Sequence, residues 1–311
     1  MVKRKEVEDV AMGGTKPDDE SSDEDMDMVN VDFEWFDPQP IDFHGLKNLL
    51  RQLFDNDAQI FDMSALADLI LSQPTLGSTV KVDGHESDPY AFLSIINLQE
   101  HKVRDAVFTR ILYTLYTLII VLTSPAPLQD KPVIKDLIEY LKTKTASNQT
   151  LSAAAQLLSQ NPIPPIGLIL TERLINMPSE IVPPMYNMLQ EEIAWAVEDK
   201  EPYTFSHYLV ISKNYEEIES KLDQEESRPQ KKKKKGGADQ AERFFFHPED
   251  EVVERHAVCN GSYEYTHKSD DGASDSKRAF QELGIRTKGS LILIEADKFE
   301  PMVKALTEYM S

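Results

Sequence analysis

Few residues of this chain have the types and spacing that bond-making chemistry needs. Its seven histidines are scattered, and pairs such as His256 and His267 have no metal-ligand partners at useful spacing. Cys259 stands alone, which excludes an internal disulfide and a thiolate metal cluster and fits a reducing compartment. No G-x-S-x-G elbow, Walker loop, H-E-x-x-H or dinucleotide fingerprint occurs. No cofactor is expected, and the chain reads as a protein that binds other proteins rather than as an enzyme.

What the residues do carry is charge. The 33 lysines and arginines are set against 54 aspartates and glutamates, for a net charge of −21 and a pI near 4.7. Such a field repels nucleic acid and anionic lipid surfaces and attracts cationic ligands from a distance, in a salt-dependent way. A basic protein is the natural partner, with no direct nucleic-acid contact and no membrane. Asp18, Asp19, Glu20, Asp23, Glu24, Asp25 and Asp27 form a block without a base or an aromatic residue. They predict a disordered acidic tail over residues 1–31, able to hold a basic client or simply to solubilise the chain. Ser21 and Ser22 precede acids at the spacing an acidophilic kinase prefers, so phosphorylation there would deepen the charge.

The opposite sign appears as one dense run, RPQKKKKK, with Arg228, Lys231, Lys232, Lys233, Lys234 and Lys235. It lies in a polar, glycine-containing stretch, residues 223–241, that reads as a disordered linker. An extended cationic run fits the acidic groove of a nuclear import receptor, and its plain alternative is a solvated lysine loop. Lys3, Arg4 and Lys5 are a weaker second candidate. No apolar run near the N-terminus has the form of a signal peptide, so the expected location is the nucleus, with shuttling to the cytoplasm.

Helix and strand signals alternate through the rest. VDFEWF, residues 31–36, alternates apolar and acidic side chains before Pro38 and Pro40 and predicts a short strand or docked segment. Phe43, Leu46, Leu49, Leu50, Leu53 and Phe54, behind Asp42 as a cap, have the spacing of an amphipathic helix. Met63, Leu66, Leu69 and Ile70 give a second helix. STVKVD, residues 78–83, and YAFLSIINL, residues 90–98, read as strands, the latter central. Pro132 suits a first helical position. Residues 151–158 give another helix and IGLILTE, residues 166–172, a buried strand. Pro183 and Pro184 should open the helix that carries Met188, Leu189, Ile193 and Trp195. Strands are then expected at residues 203–212, 243–246, 253–267 and 290–295, with helices at 215–222 and 298–310. Phe244, Phe245 and Phe246 read as core. The fold class is α/β (α+β), a mixed central sheet flanked by helices, in one domain over residues 32–311.

Residues 103–129, VRDAVFTRILYTLYTLIIVLTSPAPLQ, do not fit this scheme. As a membrane span the uncharged run inside them is too short and is broken by Pro125 and Pro127, and as a core helix it would be unusually β-branched. The segment opens with valine, whose codons begin GT, closes with glutamine, one of whose two codons is CAG, and suits a pyrimidine-rich tract toward its end. Those are intron boundaries. Without it, LQEHK joins DKPVIKDLIEYL as a strand-to-helix connection of ordinary length, and the segment is read as a retained intron.

VDFEWFDPQPIDFHGLKNLLRQLF, LSIINLQEHK joined to KPVIKDLIEYL, ERLINMPSEIVPPMYNML and SLILIEADKF, taken in order, resemble the BCCIP family of eukaryotic nuclear proteins. The resemblance implies a fold like the acetyltransferases related to histone acetylases (the GNAT type), without their activity. It also implies a role as chaperone of a basic large-subunit ribosomal protein in ribosome biogenesis, with links to nuclear protein export and its cargo or receptor. Animal members are named for cell-cycle and DNA-repair partners. Asp42, Phe43, Asn176 and Pro184 lie in the matching blocks. The active relatives cradle coenzyme A pyrophosphate on a loop of the form [QR]-x-x-G-x-[GA] at a helix start. The nearest match, Arg286-Thr287-Lys288-Gly289-Ser290-Leu291, ends in leucine and leads into a strand signal, so no amide cradle is expected. An acyl-transfer enzyme is the least favoured alternative.

Overall fold

A strand sends successive side chains to opposite faces, and in this chain the central strands are apolar on both. The computed structural model describes residues 32–73, 76–99, 132–217, 243–267 and 284–310. Its eight strands are β1 (Glu34–Phe36), β2 (Ser78–Lys81), β3 (Ala91–Asn97), β4 (Ile166–Arg173), β5 (His207–Glu217), β6 (Arg243–Phe245), β7 (Cys259–Tyr263) and β8 (Ile285–Glu295). They form one mixed sheet in the order β1-β2-β3-β4-β5-β8-β7, with β6 paired to β5. β4 and β5 run parallel, and the other pairs run antiparallel.

Phe92, Ile96, Leu168, Leu170, Leu209, Ile211, Leu291 and Leu293 point to one face. There they meet α1 (Phe43–Phe54), α2 (Met63–Leu71), α3 (Pro132–Ala146) and α4 (Ser152–Leu158). Leu93, Ile95, Ile169, Val210, Ile292 and Ile294 point to the other, under α5 (Val182–Glu198), α6 (Glu249–Arg255) and α7 (Ala296–Tyr309). The result is a sheet between two helical layers, as the alternation of signals predicts. Among the described residues no helix is long and apolar enough to cross a membrane.

Four expectations need correction. Tyr215 does not begin a helix: β5 runs on to Glu217, because residues 214–217 find backbone partners in β8 and Tyr215 stacks on Phe244 of β6. The remainder of the expected helix, residues 218–222, lies outside the described residues. The strand expected over residues 253–267 shrinks to β7. Its first part belongs to α6, where three acids in the first turn and Arg255 in the last suit the helix dipole and bury Val252 and Val253 together. Asp42 precedes α1 but makes no side-chain cap. Its carboxylate accepts from the Gln39 amide at 2.9 Å and pairs with Lys81 at 2.5 Å, both side chains fully buried. The strand expected at residues 203–212 begins only at His207, with Tyr203 and Phe205 buried ahead of it.

Candidate functional site

β4 and β5 pair from Ile166 opposite His207 as far as Leu170 opposite Ile211, and then part. β4 stays with β3 to Arg173, while β5 follows β8 to Glu217. In open α/β sheets the crevice at the carboxyl ends of parallel strands is where ligands bind, which makes this wedge the place to look for a site. The sequence changes character at the same level in both strands. Apolar Leu168-Ile169-Leu170 gives way to Thr171-Glu172-Arg173, and Leu209-Val210-Ile211 to Ser212-Lys213-Asn214.

The wedge is filled from within the chain. β6 takes the place beside β5 that β4 has left, and the turn after it with the first turn of α6 delivers His247, Glu249 and Asp250 into the gap. Glu172 is the hub. Its carboxylate lies 2.5 Å from Lys213 Nζ and 3.0 Å from His247 Nε2, and it accepts from Gln52 of α1 at 3.2 Å. Gln52 also donates to the Arg173 carbonyl at 2.9 Å and accepts from Lys213 through its own carbonyl at 3.0 Å, sealing the α1 side. Arg173 pairs with Glu249, and the Ser212 hydroxyl donates to Asp250. Ile181, Val182 and Met185 close the opposite side, and the space left is about 10 Å³, the size of one water molecule.

Burial alone would raise the Glu172 carboxyl, but the Lys213 charge and the His247 hydrogen bond override it and bring it down to about 2. Burial likewise disfavours a charged His247, yet its hydrogen bond to Glu172 and the charges of Glu172, Asp250 and Glu249 hold its pKa above the ordinary 6.5. Asp250 is pushed up to about 7, chiefly by burial, with the neighbouring Glu249 adding to the rise and His247 and Ser212 opposing it. At neutral pH Glu172 is therefore ionised and paired with Lys213 and His247, with Asp250 close to its midpoint. Such an arrangement pins β4, β5, β6 and α1 together; it leaves no space beside a nucleophile for a reacting group.

Similar buried pairs pin the rest of this unit. Lys81, paired with Asp42, also donates to the His85 carbonyl at 2.6 Å. Lys144 reaches Asp57 at 2.7 Å and the Glu264 carbonyl at 2.7 Å, and Asp57 accepts from the amides of Thr266 and His267. The residues 286–291 that resemble a phosphate loop lie wholly inside β8. Gly289 is there because the Tyr263 ring lies across it: a Cβ would sit 2.2 Å from Tyr263 Cζ. Of the residues in the family-like blocks, Asp42 is a buried pin, Phe43 is half-buried at the start of α1, Asn176 is exposed in the turn after β4, and Pro184 stands in the first turn of α5.

The charge features singled out by sequence lie elsewhere. Asp18, Asp19, Glu20, Asp23, Glu24, Asp25, Asp27, Ser21, Ser22, Arg228 and Lys231 to Lys235 are outside the described residues, as is the segment 103–129. The lysine run belongs to the chain that joins β5 to β6. Sequence reasoning missed the wedge, although its signal is present: two buried strands turn polar at the same depth.

A family model described as BCCIP matches residues 28–115 and 105–253, two pieces that overlap inside the segment 103–129. "Protein bcp1" of Aspergillus fumigatus is 68% identical over 315 residues, covering 100% of this chain and 99% of the relative. "Protein bcp1" of Schizosaccharomyces pombe is 47% identical over 289 residues and covers 92% of each. The crystal structure of BCP1 from Saccharomyces cerevisiae aligns with a TM-score of 0.56 and 27% identity, over 92% of each chain.

Proposed function

We propose, starting from the fact that the chain belongs to the BCCIP family, that it is a non-enzymatic acidic escort in the nucleus. In this reading it covers the RNA-binding face of a basic large-subunit ribosomal protein until assembly, and takes part in nuclear protein export. The observation that carries the reading is the filled wedge. A sheet whose parallel neighbours part at their carboxyl ends supports a likeness to the acetyltransferase fold, and in this chain that crevice is occupied by Glu172, Lys213, His247 and Asp250. An acyl donor would have to displace a network of buried charges, each costing several kcal/mol to leave unpaired. The surface is what remains to work with, and a net charge of −21 selects cationic partners.

Carboxylates at high local density would substitute for the RNA phosphates that a bare basic protein otherwise seeks. The tail block from Asp18 to Asp27 supplies them, and Lys231 to Lys235 give the import address. The test is affinity purification of the full chain from nuclear extract, washed at low and at high salt. A basic large-subunit ribosomal protein should be retained at low salt and released at high salt. Retention of an export receptor alone, or of no basic protein, would contradict the reading.

A further inference from the structure

We propose that the outer face of α5, centred on Trp195, is a docking surface for arginine or lysine side chains of a basic protein partner. The proposal rests on the escort reading and gives the folded part of the chain a contact of its own, separate from the tail.

α5 buries Met185, Tyr186, Leu189, Ile193 and Ala196 against the sheet and α7. Trp195 turns away from that face and is 56% exposed. An indole is the largest apolar side chain a protein can bury, and one left in water on a regular helix forgoes that gain. Its neighbours are not random. Glu191, Glu198 and Asp199 stand four residues before, three after and four after it, all exposed. Those spacings bring them to the same side of the helix as the ring. The helix has no basic residue in its last turn, and Glu198 and Asp199 sit at the C-terminal end, where the helix dipole disfavours carboxylates. None of the three has an ion pair among the described residues, and the base nearest to them in sequence is the exposed Lys200. An aromatic face framed by unpaired carboxylates attracts a guanidinium or ammonium group by both its quadrupole and its charges. It repels phosphate, and a second copy would bring the same sign against itself. Charge complementarity therefore points to a cationic protein segment as the occupant.

The chain's two tryptophans make this measurable. Trp35 is half-buried and its indole N–H donates to the Ile181 carbonyl at 3.4 Å, whereas Trp195 reports on solvent. The full chain is titrated with a deca-arginine peptide at moderate salt, following tryptophan emission and, in parallel, heat of binding. Quenching or a blue shift on addition, lost in Trp195→Phe, is expected. So is a roughly tenfold weaker affinity in Trp195→Ala and in the triple variant Glu191→Gln, Glu198→Gln, Asp199→Asn, with far-UV circular dichroism unchanged. A fourth variant neutralises the acids between Asp18 and Asp27. If only that variant loses affinity and emission stays silent, the α5 surface is refuted while the escort reading survives. If the unmodified chain does not bind the peptide, both fail.

Discussion

Lys213 Nζ and Glu172 Oε2 lie 2.5 Å apart where β5 and β4 part, and this contact joins two strands at the level where their backbone pairing has ended. It replaces backbone hydrogen bonds by a buried ion pair and turns a crevice into a joint.

Removing one partner should be costly. Lys213→Met leaves Glu172 with His247, Gln52 and the Arg173 amide, and a loss of about 3–5 kcal/mol in denaturant unfolding is expected for a buried charge left without its main partner. The double variant Lys213→Met, Glu172→Gln should recover part of that loss. A single variant as stable as the parent would mean that the pair does not hold the joint.

The cluster also sets a pH dependence. Asp250 has its folded pKa raised from 3.8 to about 7. The stability linked to it is full below its unfolded pKa and is lost as pH rises toward 7. His247, also raised, acts in the same sense, from its unfolded 6.5 upward. Glu172 acts in the opposite sense: held near 2, it stabilises above 4.5 and loses that contribution as pH falls. Urea unfolding between pH 4 and pH 7, in the parent and in Asp250→Asn, isolates the first effect. The variant, whose neutral amide can still accept from Ser212, should show a flatter decline, and equal slopes would exclude Asp250 as the titrating group.

Much of the architecture was legible in advance, for a simple reason. Leu168, Leu170, Leu209 and Ile211 against Ile169 and Val210 are an alternation that only a sheet covered on both faces satisfies. Pro132 and the Pro183-Pro184 pair marked helix starts because proline fits there and not further in. Illegible were the elements decided by partners far away in the chain. Tyr215 follows helical spacing locally, but β8 and Phe244 claim it for a strand. Asp42 has the position of a cap, yet Lys81, remote in sequence, takes its carboxylate. Trp195 falls in a helix of apolar residues, and only the packing of α5 reveals that it faces out. The wedge network needs residues from α1, β4, β5, the turn after β6 and the start of α6 at once, and no local pattern announces such a meeting.

Gly289 tests whether the glycine in β8 serves packing. Gly289→Ala places a methyl against the Tyr263 ring and should destabilise by about 1–3 kcal/mol, as overpacking does. Thermal denaturation with and without acetyl-coenzyme A reads this out. A melting temperature that matches the parent, or one that the ligand restores, would speak for a phosphate-binding role instead.

The segment 103–129 has a direct genetic test. Reads across the junction of Lys102 and Asp130 in mature transcripts should lack it. A tryptic peptide from within the segment, found in the expressed protein, would show that it is translated.

The central proposal is that charge on a scaffold whose wedge between β4 and β5 is filled from within holds a cationic client. Its most direct measurement is the affinity of the full chain for a purified basic large-subunit ribosomal protein across a salt series. The account predicts tight binding at low salt, with the logarithm of the association constant falling as the logarithm of salt rises. Binding indifferent to salt, together with saturable uptake of acetyl-coenzyme A, would contradict it.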